Sequence, residues 1–132
     1  MTKTSKSAIF ALLAVALIAC SDPTGLRSDI LVVNRVGSSL IFRNVTPQPV
    51  YWMAFDTESL PLIDFLLCTN PTTCQSVAPH SSHSVRVEDL PCCTRETSGV
   101  TIVHYHLVPV SGGGFRADSV RQIAVDLEPL LP

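Results

Sequence analysis

Val100-Thr101-Ile102-Val103-His104-Tyr105-His106-Leu107-Val108-Pro109-Val110 is the longest strand candidate in the chain. It is rich in β-branched and aromatic residues and lacks the polar stripe of an amphipathic helix. With a period of two, Val103, Tyr105 and Leu107 share one face, and His104 and His106 share the other. An antiparallel sheet with one buried and one wet face then places the first set on the core and the histidines in solvent.

The flanks read the same way. Ser111-Gly112-Gly113-Gly114 is a loop, and Ser119 to Leu127 supplies a final strand with Ile123, Val125 and Leu127 on one face. Upstream, Ser84-Val85-Arg86-Val87-Glu88 alternates as a half-buried strand should. Val50-Tyr51-Trp52-Met53-Ala54-Phe55 is short and aromatic, preceded by the turn chemistry of Thr46-Pro47-Gln48-Pro49. Leu40-Ile41-Phe42-Arg43-Asn44 and Ile30-Leu31-Val32-Val33 complete the set, separated by Gly37-Ser38-Ser39. Only residues 57–67 break the pattern: Thr57 or Ser59 is a cap for a short helical turn, with Pro61 near its start. About six strands in roughly 100 residues, with turn signals between them, predict an all-β fold, a small antiparallel immunoglobulin-like sandwich. Its expected span is residues 30–128.

The start of the chain carries a different message. Lys3 and Lys6 precede Ala8 to Ala19, a run without charge. Twelve helical residues rise about 18 Å, too little for the roughly 30 Å core of a bilayer. The segment therefore reads as a secretory signal peptide. It ends in Leu17-Ile18-Ala19-Cys20, which resembles the lipobox of bacterial lipoproteins at all four positions. The resemblance implies removal of residues 1–19, lipid on Cys20, and membrane attachment through that lipid. Ser21 in place of Asp implies, by the sorting rule of diderm lipoproteins, residence at the outer membrane. Residues 20–29, polar with Pro23 and Gly25, read as a tether between lipid and domain. Processing would leave residues 20–132, with seven arginines against eleven acids and a net charge near −4. Such a chain has no basic footprint for nucleic acid.

Asn44-Val45-Thr46, Pro49-Val50-Tyr51, and Cys68 and Cys74 around Pro71 resemble small uncharacterised bacterial secreted domains with immunoglobulin-like sandwiches. In those, an N-x-T…PVYY…C…P…C pattern is followed by a W-H strand and a closing PDSIR strand. His106 matches the later histidine. Ala117-Asp118-Ser119-Val120-Arg121 matches the closing motif with Ala for Pro. The likeness runs from Asn44 to Leu127, departs at Cys92-Cys93, and implies a fold without an activity.

Four cysteines besides Cys20 lie in the exported part: Cys68, Cys74, Cys92 and Cys93. An even number in an oxidising compartment reads first as disulfides. Cys68 with Cys74 closes a short loop and leaves Cys92 and Cys93 as a vicinal pair. The alternative is two bridges from the 68–74 loop to the 92–93 pair. A metal reading competes: His104 and His106 on one strand face are a start for a zinc or copper site, with His80, His83 and the cysteines as further donors. Spacing fixes no third ligand. No Gly-x-Ser-x-Gly elbow, His-Glu-x-x-His pair, P-loop or dinucleotide motif occurs. Asp56, Glu58 and Asp64 read as solvating one short segment. The expectation is a membrane-anchored, non-enzymatic domain without cofactor, in an interaction or envelope-structural role toward an unidentified protein partner. The alternative is a periplasmic metal-binding lipoprotein.

Overall fold

The computed structural model describes residues 26–127. Eight strands make two four-stranded antiparallel sheets. The first has the order β1 (Leu26–Arg27), β2 (Leu31–Val36), β3 (Ser39–Asn44), β6 (Ser82–Arg86). The second has the order β5 (Ser76–Val77), β4 (Val50–Asp56), β7 (Gly99–Pro109), β8 (Phe115–Asp126). The longer strands, β2-β3-β6 facing β4-β7-β8, follow the A-B-E and C-F-G order of immunoglobulin sandwiches. No α-helix occurs among the described residues; Leu60–Leu62 and Val87–Asp89 are single 3₁₀ turns. No described helix is long and apolar enough to cross a membrane.

The core between the sheets is an interleaving of alternate residues. Leu31 and Val33 of β2, Leu40 and Phe42 of β3, Val50 and Trp52 of β4, Val100 and Ile102 of β7, and Ile123 and Val125 of β8 all enter it. Phe42 and Trp52 lie with ring centroids 4.7 Å apart, tilted by 60°. Such aromatic pairs contribute about 0.5–1.5 kcal/mol beyond area burial. The loop after β6 closes the edge with Val87, Leu90 and Cys93.

Turns follow their chemistry. Val36 pairs with Ser39, so Gly37-Ser38 is a two-residue hairpin loop, and Gly37 takes φ 60°. Glycine enters that region without the Cβ penalty, as primed hairpin turns require. The predicted final strand begins earlier than expected, at Phe115, and pairs back to Pro109 across the glycine loop.

Two findings correct the sequence reading. The expected tether at residues 20–29 is not all tether: Leu26 pairs with Val33 and Arg27 with Val32 at the edge of the first sheet. Two residues carry too little pattern to announce a strand. The second correction concerns β7. Val103 and Tyr105 were expected on the core between the sheets, with His104 and His106 in solvent. The inter-sheet face instead carries Val100 and Ile102. Val103 and Tyr105 lie on the opposite face, where they are also buried. His104 is 0 % exposed.

Candidate functional site

The outer face of the second sheet is covered by the chain that follows β4. Thr57 N–H donates to Gly99 O, and the chain then turns through Leu60–Leu62 and runs back over the sheet. The sequence-expected cap is half right: Ser59 precedes the turn, but its side chain makes no capping bond. Phe65 settles on Phe55, ring centroids 4.4 Å apart. Tyr105 Oη donates to Cys68 O at 2.7 Å, and Tyr51 stacks beside Tyr105. Leu67, Cys74, Leu107 and Ala117 fill the remaining gaps around Tyr51, Val103 and Tyr105. Burial pushes the Tyr105 phenol above its ordinary range, the Cys68 bond partly offsetting this and Tyr51 adding to it.

Cys68 and Cys74 lie at disulfide distance, with Cα atoms 5.7 Å apart, at the end of this cover. Cys92 and Cys93 are likewise at disulfide distance from each other, with Cα atoms 3.7 Å apart. The two pairs are separate, so the cross-linked arrangement is not the one adopted. Cys93 and Cys92 pack against the inter-sheet core rather than at the 68–74 loop.

The histidines part company. On β8, Ser119 and Val120 together oppose Tyr105, because His104 pairs with Arg121 and His106 with Asp118. Two residues against one is a β-bulge, and Ser119 takes φ 55° within it. His106, half-buried, has Nδ1 3.0 Å from Pro49 O. His104 is sealed beneath the segment that enters β2. Its Nε2 lies 3.1 Å from Ser28 Oγ. That oxygen already accepts the Ile30 and Leu31 N–H groups, each at 3.1 Å. With both lone pairs taken, the hydroxyl proton is what Ser28 has left to give. His104 Nε2 is then the acceptor and Nδ1 carries the ring proton. Nδ1 has no hydrogen-bond partner among the described residues. Desolvation by burial, with Arg121 opposing the charge, lowers the His104 pKa to about 4; Asp29 works in the other direction and His106 adds to the fall. Asp29 and Arg121 pair at 3.6 Å over the site.

The N-x-T motif also acquires a physical role. Asn44 is buried at the crossing from one sheet to the other. Its Nδ2 donates to Gln48 O at 2.6 Å, Val77 O at 3.1 Å and Ala78 O at 3.2 Å. Its Oδ1 accepts from Thr46 N–H at 2.8 Å and from the Thr46 hydroxyl at 2.7 Å. One amide thus satisfies backbone groups from two loops that would otherwise be orphaned. The ADSVR motif is the bulge itself. The motif residues Asn44, Thr46, Pro49, Cys68, His106 and Asp118 therefore serve the crossing, the cover and the bulge.

Among the described residues, no cluster of three or more His, Cys, Asp or Glu could hold a metal ion. His80 is exposed in its loop as expected, whereas His83, also exposed, belongs to β6, where it pairs with Phe42 and its ring lies 6.5 Å from that of Trp52. Asp64 is exposed, and Asp56 Oδ1 accepts the Glu58 N–H in the turn after β4. Arg116 pairs with Asp118 and Arg121 with Asp29, each at 3.6 Å. Cys20 lies outside the described residues. Sequence reasoning missed Ser28, whose role is visible only once β1 folds back, and the exposed apolar side chains of Leu62 and Leu66. Comparison with protein-family models, with curated proteins and with solved structures finds no match.

Proposed function

We propose that this chain is an exported lipoprotein, cut before Cys20, held by lipid on that cysteine at the outer membrane, and acting by surface contact. The observation that carries this reading is Leu17-Ile18-Ala19-Cys20 behind a short, charge-free apolar run. Each buried methylene of an acyl chain contributes about 0.8 kcal/mol, and two or more chains give stable anchoring. Two cysteine pairs at disulfide distance fit an oxidising compartment. The likeness to small secreted immunoglobulin-like domains supports the same location.

A contact role fits the chemistry better than catalysis. His104, whose pKa departs furthest among the described residues, is held neutral beneath Ser28, and the Ser28 hydroxyl beside it has its lone pairs committed to the Ile30 and Leu31 N–H groups rather than free for attack. Its shift follows from burial in a sandwich, a structural cause. The test is Cys20→Ser in the full chain. Wild type should fractionate with the outer membrane. The variant should accumulate as uncut precursor or be released from the membrane. A variant that is processed and sediments like wild type would contradict the proposal.

A further inference from the structure

The segment covering the second sheet leaves two large apolar side chains in the open. Leu62 is 84 % exposed and Leu66 91 %. Between them Phe65 is pinned on Phe55, which fixes this stretch against the sheet. Ile63 is also exposed, so Leu62–Leu66 forms an apolar ridge with one charge, Asp64.

The topology says what lies close to this ridge. β1 runs antiparallel to β2, with Leu26 opposite Val33 and Arg27 opposite Val32, so the N-terminal end of β1 is its end nearer the Val36–Ser39 turn. Arg35 Nη1 donates to Asp126 O, which brings that turn beside the end of β8. Asp126 pairs with Gly99, and Gly99 O holds Thr57 N–H at the start of the covering segment. The end of the sandwich toward which β1 has its N-terminal residue is thus the end at which the covering segment begins. Val36, in the same turn, is exposed as well. Cys20 precedes Leu26 by six residues, a reach of about 20 Å at full extension. Packed sheets stand about 10 Å apart, so this tether can span the domain but not hold it far from the bilayer.

We propose that the Leu62–Leu66 ridge contacts the bilayer that holds the lipid of Cys20, laying the outer face of the second sheet on the membrane. The proposal rests on the anchor reading above. Anchoring on so short a tether makes the contact intramolecular in effect, so a small apolar area suffices. Asp64 lies within the ridge, and Asp56 and Glu58 precede it in the chain with no basic residue between Asp56 and Leu66. Attraction to anionic headgroups is therefore not its basis, and the contact is apolar insertion at the level of the acyl–headgroup boundary.

The test uses the full chain, processed in cells, purified from membranes and reconstituted into zwitterionic vesicles with ordinary or brominated acyl chains. Leu66→Trp reports on the ridge. Val45→Trp reports on the opposite end, beyond Asn44. Trp52 is buried and serves as the common background. We expect the added fluorescence of Leu66→Trp to be lost in brominated vesicles and kept in ordinary ones. That of Val45→Trp should be the same in both. The loss should persist at about 1 M salt, where the screening length is about 3 Å. Flotation of the protein with vesicles while Leu66→Trp stays unquenched overturns the membrane contact and leaves the anchor intact. Shielding of Leu66→Trp that depends only on protein density means a second copy covers the ridge, and also overturns it. Failure to float overturns the anchor and, with it, the contact.

Discussion

The second sheet has two buried faces made in different ways. Its inner face, with Val50, Trp52, Val100, Ile102, Ile123 and Val125, is covered by another sheet. Its outer face, with Tyr51, Val103 and Tyr105, is covered by a single strip of chain pinned at Phe55–Phe65, at Tyr105–Cys68 and near the Cys68–Cys74 pair. The inner cover is strand pairing plus apolar interdigitation, distributed over many residues. The outer cover depends on a few contacts. Such a strip exposes its own far side, which is how Leu62 and Leu66 come to face outward. A sheet in a small sandwich therefore need not have a wet face, and an apolar run can report two covers.

Neighbouring residues on β7 break the comparison most sharply. Ile102→Ala empties the inter-sheet core and should cost about 2–5 kcal/mol. Val103 is equally buried on the outer face. Val103→Ala should therefore be clearly destabilising too, by about 1–3 kcal/mol. Urea unfolding of both variants checks this. A Val103→Ala effect within about 0.5 kcal/mol of zero, as at an ordinary surface position, would mean the strip is not closed over the sheet.

His104 sharpens the inner side. The unfolded chain takes up the imidazole proton near pH 6.5, the folded chain only near 4. Between those values the folded state binds fewer protons. Stability from the neutral ring is therefore fully present above pH 6.5 and lost as the pH falls toward 4. The linkage amounts to about 3 kcal/mol. Unfolding midpoints measured from pH 7 to 4 should fall for wild type and fall less for His104→Gln, which cannot titrate there.

Smaller effects belong to the outer cover. Removing the Cys68–Cys74 bridge by a Cys68→Ser, Cys74→Ser pair should cost at most about 2–3 kcal/mol, as expected for so short a loop. Non-reducing peptide mapping should find Cys68 joined to Cys74; either one joined to Cys92 or Cys93 would contradict the arrangement. Smallest is Tyr105→Phe, which removes the donor to Cys68 O and should cost about 0.5–1.5 kcal/mol, seen as faster amide exchange in residues 65–69.

Much of the fold could be read from the sequence because its longer strands are bounded by Gly, Pro and Ser turns and carry β-branched residues. Ile123, Val125 and Leu127 reached the core by simple alternation. Alternation misled at β7 for a physical reason. Val100, Ile102, Val108 and Val110 share parity with His104 and His106, while Val103, Tyr105 and Leu107 hold the other parity. Both parities are apolar, and two histidines on one of them mimic the pattern of a wet face. A run apolar on both parities is the signal of double burial. The Ser28–His104 contact had no local signal, since it joins residues 76 apart. Leu26–Arg27 was too short to stand out from the polar stretch before it. The 57–67 segment was recognised as different, but its role as a cover follows only from where β4 ends.

The central claim is the anchor, and the intact mass of the protein extracted from membranes tests it most directly. The expected chain begins at Cys20, carries diacylglycerol on its sulfur, and is heavier than residues 20–132 by the mass of that diacylglycerol and of any acyl group on its amino terminus. Fragmentation should place all of the added mass on Cys20. A chain that retains residues 1–19, or begins at an unmodified Cys20, would contradict it.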